Sequence, residues 1–204
     1  MNDLQPIVLA STSPRRAKIL RALEIPFEVV RPYAEEDLDP DDPVETVTAN
    51  ARAKLKAALA EIPADRRILA ADTIVWIDGR PIGKPRDLQE ARDILRFLSG
   101  ATHLVFTAVA FSDRDSCRVE TSAVTFRELT DQEIEGYVAR VCPTDRAGAY
   151  DIDENGIELV DRYSGSFTNI MGLPQEVVLD WYRAGCVPPE APRYRTRFRN
   201  PREP

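Results

Sequence analysis

"HLVFTAVAFSDRDSCRVETSAVTFREL", His103 to Leu129, decides the fold. Two runs rich in β-branched and aromatic residues are separated only by the polar turn Arg114-Asp115-Ser116. Parallel strands need a crossover of a dozen or more residues, so these two strands must be antiparallel. Elsewhere strands alternate with helices, the pattern of parallel βαβ units. The chain therefore predicts an α/β domain with a mixed sheet, and a fully parallel doubly wound sheet is disfavoured.

Working outward, "IVLA" (7–10) reads as a short buried strand, followed by a helix from Pro14 to about Leu23. Ser13 is a favoured N-cap, and proline fits the first helical position. "PFEVVRP" reads as a second strand, and the acidic loop "YAEEDLDPDD" follows it. "PVETVTANARAKLKAALAEI" has apolar residues at helical spacing. "ILAADTIVWIDG" is a strand that stays apolar across Asp72 and Thr73, and "DGRP" turns it back. A helix capped by Asp87 stops at Gly100, and Thr130 with Glu133 forms a capping box for the next. A less regular stretch precedes a last helix ending near Gly185.

Composition narrows the function classes. No apolar run reaches the roughly 18 residues that span a bilayer, and the first residues lack the pattern of a signal peptide. Cys117, Cys142 and Cys186 are scattered and form no CxxC pair. A disulfide framework or zinc site is therefore not expected, and a reducing cytoplasm fits. The net charge of -7 argues against general nucleic-acid binding. That charge is uneven: from Pro188 on, five arginines face two glutamates, a local +3, which leaves -10 on the rest. The expected organisation is one domain over residues 1–187 and a Pro/Arg-rich disordered tail over 188–204.

The chemistry concentrates after the first strand. "LASTSPRR" brings together Ser11, Thr12, Ser13, Arg15 and Arg16 at a helix start. Two arginines there are locally unfavourable, because the helix dipole prefers acidic neighbours. They are either simply solvated or part of an anion site, and the position after a buried strand favours phosphate. Neither a Walker GxxxxGK nor a dinucleotide GxGxxG occurs. Asp72, flanked by apolar residues, needs a cation, donors or a metal if buried, unless it caps a neighbouring loop. One or two carboxylates of the acidic loop could join it around a hard divalent cation. Lys54 and Lys84 are candidate partners for negative charge, or ordinary surface lysines. His103, the one histidine, reads as structural rather than catalytic. The set points to hydrolysis of a polyphosphate by water.

"LASTSPRR", the acidic loop with Glu36, "ARAKLKAA", "AADTIV", "GKPRD", "AGAYDID" and "NIMGLP" occur in an order that resembles the Maf family of nucleoside triphosphate pyrophosphatases. The resemblance implies an elongated α/β domain, with a curved mixed sheet and a cleft between two lobes. It implies cleavage of a nucleoside triphosphate between its α and β phosphates, assisted by a divalent metal such as Mg2+ or Mn2+. Asp72 corresponds to the family's proton acceptor, and Glu36 works with it at the metal. Ser11, Arg16, Lys54 and Lys84 match phosphate-facing residues, with Ser13 beside them. Arg15, Thr73 and Asp153 fall where the family sets base preference. The dTTP/UTP branch has Arg, Thr and Gln there, so Asp153 departs from it; a 7-methyl-GTP or broader specificity is the alternative. The resemblance also allows a homodimer. A nucleotide-sensing regulator of septum formation is the rival from another class. A nucleic-acid module using the arginine tail is opposed by the acidic body.

Overall fold

All four residues of β1 (Ile7–Ala10) are buried, yet they belong to two different cores. Ile7 and Leu9 pack into the larger cluster, and Val8 and Ala10 into a smaller one on the opposite face. That division follows the two-residue period of a strand covered on both faces. The computed structural model describes residues 6–35, 41–114, 117–153 and 155–185. The Pro/Arg-rich stretch expected to form a tail lies outside the described residues.

After β1 come α1 (Pro14–Ala22), β2 (Phe27–Val30), α2 (Pro43–Glu61) and β3 (Ile68–Ile77). β1 pairs in parallel with both β2 and β3. β4 (Arg80–Ile82) turns back on β3, and α3 (Leu88–Leu98) leads to β5 (Thr102–Phe111) and β6 (Arg118–Phe126). α4 (Asp131–Val141), β7 (Val160–Ser164), α5 (Phe167–Ile170) and α6 (Gln175–Gly185) complete the described elements. The seven-stranded sheet runs β2-β1-β3-β5-β6-β7, with β4 on β3. The β3–β5, β5–β6 and β6–β7 pairs are antiparallel. It is one α/β domain with a mixed sheet: β3 pairs in parallel with β1 on one edge and antiparallel with β5 on the other, and the hairpin between Thr102 and Phe126 continues the antiparallel part.

Local rules account for most boundaries. Asp42 caps α2 by accepting from the amides of Val44 and Glu45, and Asp87 caps α3 through the amide of Glu90. Both halves of the Thr130–Glu133 capping box are formed. Ser13 does stand at the N-cap of α1, but its side chain makes no cap bond. The hydroxyl of Ser11 instead accepts from the Ser13 amide at 3.2 Å. β7 and α5 lie within the stretch expected to be irregular. Among the described residues no helix is long and apolar enough to cross a membrane, and Cys117 and Cys142 are free thiols.

His103 is 1% exposed on β5, and burial pushes its imidazole down to about 4. An unfolded histidine titrates near 6.5, so between these values the unfolded chain binds a proton that the folded one refuses. Stability is expected to fall as pH drops from about 6.5 towards 4, by up to about 1.4 kcal/mol per pH unit from this group. Denaturant titrations across that window, in the parent and in His103→Gln, check it. An identical pH slope in both proteins overturns the assignment.

Candidate active site

Strand lengths create the cleft. β1 covers β3 only from Ile68 to Ala70, because the chain leaves the sheet at Ser11. β4 rejoins the same edge at Val75. Among the described residues no strand covers that edge between Ala71 and Ile74, while β5 pairs along the whole opposite edge. A cleft of about 500 Å³ opens there, within the size range of small-ligand sites. It lies beyond the carboxyl end of β1, where chain connections diverge to β2 and β3, the usual ligand position in such sheets.

Strand alternation sends Asp72 and Thr73 to opposite faces. Asp72 faces α2, from which Asn50 and Lys54, four residues apart, project from one helix side. Lys54 Nζ lies 2.6 Å from Asp72 Oδ1, and Asn50 Nδ2 donates to Oδ2 at 3.2 Å. The carboxylate is 5% exposed and sits mid-strand, so it does not cap a loop. Lys54 is a partly buried ion-pair partner rather than a surface lysine.

Thr73 faces the other side and meets Arg16. The guanidinium of Arg16 donates from Nε to the Gly172 carbonyl at 2.8 Å, from Nη1 to Ser11 Oγ at 2.9 Å and from Nη2 to Thr73 Oγ1 at 3.0 Å. Arg16 is 8% exposed, so it is not simply solvated. Gly172 is needed for this approach: its φ is +101°, and a Cβ there would lie 3.2 Å from Thr73 Oγ1. Thr107, fully buried, donates its single proton to the Asn169 carbonyl at 3.1 Å. Its oxygen lies 3.0 Å from Thr73 Oγ1, so Thr73 must donate to it. The hydroxyl of Thr73 thus has its donor committed, and what it can offer the cleft is a lone pair.

Arg15 reaches across to the segment after α4, 3.3 Å from Asp145 Oδ2 and 4.0 Å from Asp151 Oδ2. Arg146 Nε lies 3.4 Å from the same Asp151 oxygen. Burial pushes the Asp151 carboxyl up, and Arg15 and Arg146 oppose that shift. Ser13, Arg15 and Lys84 line the cleft with Ser11, Arg16, Lys54, Asp72 and Thr73. Asp153 does not line it; its carboxylate meets Lys18 Nζ at 2.5 Å. Glu36 lies outside the described residues, and among those described no group of three His, Cys, Asp or Glu could by itself hold a metal. Sequence reasoning missed Asn50, Asp145, Arg146 and Asp151. Only Asn50 had a signal, its four-residue offset from Lys54.

Cations and hydroxyls converging on one cleft, beside a buried carboxylate at an uncovered strand edge, define an α/β protein built to hold a polyanion. The chain belongs to the Maf-like protein family, whose profile matches residues 6–184. It is 43% identical over 182 residues to a dTTP/UTP pyrophosphatase of Geobacter sp. (strain M21), covering 87% of this chain and 94% of that one. A dTTP/UTP pyrophosphatase of Bacillus velezensis (strain DSM 23117 / BGSC 10A6 / LMG 26770 / FZB42) is 42% identical, covering 82% and 90% of the two chains. Another, from Escherichia coli O6:K15:H31 (strain 536 / UPEC), is 44% identical, covering 82% and 87%.

Proposed function

We propose that this chain hydrolyses nucleoside triphosphates, dTTP and UTP foremost, to the nucleoside monophosphate and pyrophosphate. The observation that carries the reading is Asp72, held by Lys54 and Asn50 in a cleft that Arg16, Lys84 and Ser11 also line. Water attacks the α phosphorus, and the bridging oxygen to the β phosphorus leaves with pyrophosphate. Asp72 takes the proton from that water. Lys54 and Lys84 offset charge on the departing group, and Ser11, Ser13 and Arg16 orient the phosphates from the first βα turn.

Oxygen donors alone suit a hard divalent cation. Asp72, with Glu36, would hold it, and phosphate oxygens would complete the shell, the usual manner of magnesium. When bound, such a cation neutralises phosphate charge and favours the attacking hydroxide. Arg15 and Thr73 select the base. Thr73 can only accept, which suits the N3–H of uracil or thymine. Asp153, turned to Lys18, would act on that selection through the loop that carries Asp151. A reducing cytoplasm and a homodimer complete the reading.

The test is product analysis across a panel of nucleoside triphosphates with magnesium. UTP and dTTP are expected to give UMP and dTMP with pyrophosphate. A chelator is expected to abolish turnover, and excess magnesium to restore it. Release of orthophosphate and a nucleoside diphosphate would overturn the reading, as would turnover that survives chelation.

A further inference from the structure

A triphosphate accounts for the polar residues that line the cleft, but not for the apolar ones. Val75, Val105, Ile170 and Met171 line it, together with Tyr150, the one aromatic among the described lining residues. Tyr150 is 6% exposed, and its ring is held on several sides. The hydroxyl lies 2.8 Å from His103 Nε2. The rings of Phe126 and His103 meet it edge-on, at centroid distances of 4.9 and 5.3 Å and interplanar angles of 80° and 76°. Such packing fixes the plane of a ring as well as its position.

The backbone before Tyr150 is constrained in the same sense. Gly148 has φ +72°, and a Cβ there would fall 2.9 Å from Val75 Cγ2 and 3.3 Å from two ring carbons of Tyr150. Ala149 has φ +57°, a left-handed conformation that a residue with a Cβ adopts only under tertiary constraint. The Gly148 amide is tied to the Gly83 carbonyl at 3.1 Å, next to the cleft residue Lys84. His103 contributes one thing here. Among the described residues its buried Nδ1 has no hydrogen-bond partner, and Nε2 meets the Tyr150 hydroxyl. With its pKa near 4, the ring stays neutral beside the cleft at ordinary pH.

We infer that Tyr150 is a wall against which the nucleobase packs, and that His103 is its positioning residue, fixing the ring through the hydroxyl. The inference rests on the nucleotide reading above. It assigns the base to the apolar lining beside Tyr150 and leaves Arg16, Lys54 and Lys84 to the phosphates. A flat heteroaromatic ring gains from such a wall, whereas inorganic phosphates gain nothing from it.

Calorimetric titration of the full chain with UMP, and separately with inorganic pyrophosphate, tests it. Tyr150→Phe and His103→Leu are each expected to weaken UMP binding by about 2- to 10-fold, the scale of one neutral hydrogen bond. Pyrophosphate binding is expected to stay unchanged. His103→Gln, whose amide can reach the hydroxyl, is expected to restore UMP binding. Parallel weakening of both ligands would make the pair a fold support only and overturn the inference. So would unchanged UMP binding in folded variants, or no UMP binding by the parent. Should His103→Leu fail to fold, Tyr150→Phe decides alone. The binding arm needs no turnover, so a parent that binds UMP through this wall yet releases no pyrophosphate would sink the proposed activity and not this inference.

Discussion

Asp72→Asn is expected to lower kcat by about 10²- to 10⁴-fold, the loss typical of removing a general base, while the protein remains folded. The carboxylate has a donor on each oxygen, Lys54 on Oδ1 and Asn50 on Oδ2. A carboxamide at this position offers one acceptor and one NH2 group. One of the two donors must therefore face another donor, and Lys54 loses a full counter-charge. Breaking a fully buried pair costs about 3–5 kcal/mol. The Lys54 side chain keeps 14% exposure towards the cleft, where water can solvate the ammonium, so a smaller loss is expected. Turnover and thermal melts measured on the same preparation separate the effects. A variant folded at assay temperature with near-parental kcat would remove Asp72 from the chemistry.

The two faces of this site were unequally legible in the sequence. Asp72 stood out because a carboxylate inside an apolar strand needs partners, and Lys54 was in view as one of two candidate cations. The mixed sheet followed from one short turn, since chain length alone forbids a parallel crossover between Thr102 and Phe126. The capping box at Thr130 was equally readable, because every atom in it lies within four residues. What escaped involved distance along the chain. β7 is a polar, half-exposed edge strand, so "VDRYS" carries no clear alternation, and α5 is a single turn. Asp145 and Asp151 matter through Arg15, more than 120 residues away. Periodicity in a local window cannot register such pairs. Asp153 stood next to a base-selecting role in the motif order, yet its carboxylate turns to Lys18 on α1.

Arg16 shows the same limit most sharply, and it is the subject of the second large expected effect. Read locally, an arginine in the first turn of α1 opposes the helix dipole, so removing it should gain about 0.3–1 kcal/mol. In the fold it donates to the carbonyl of Gly172, 156 residues away, at 2.8 Å. Arg16→Ala would leave that carbonyl without the guanidinium, and would withdraw donors from Ser11 and Thr73. Hydrogen bonds to a charged group contribute about 1.5–3 kcal/mol each, and a stranded buried acceptor costs about 1–3 kcal/mol. These exceed the dipole relief, so a net loss of about 2–4 kcal/mol is expected, even after water enters the space. For a chain of this size that lowers Tm by roughly 5–15 °C. Affinity for inorganic pyrophosphate is expected to fall with it, because Ser11 loses its anchor as the cationic arm is lost. Arg16→Lys keeps the charge but not the three-way geometry, since an ammonium cannot reproduce a planar fork. It is expected to recover part of the anion binding and little of the stability. A Tm at or above the parental value in Arg16→Ala would show that the local dipole outweighs the buried hydrogen bonds, and that the tie between α1 and Gly172 is dispensable.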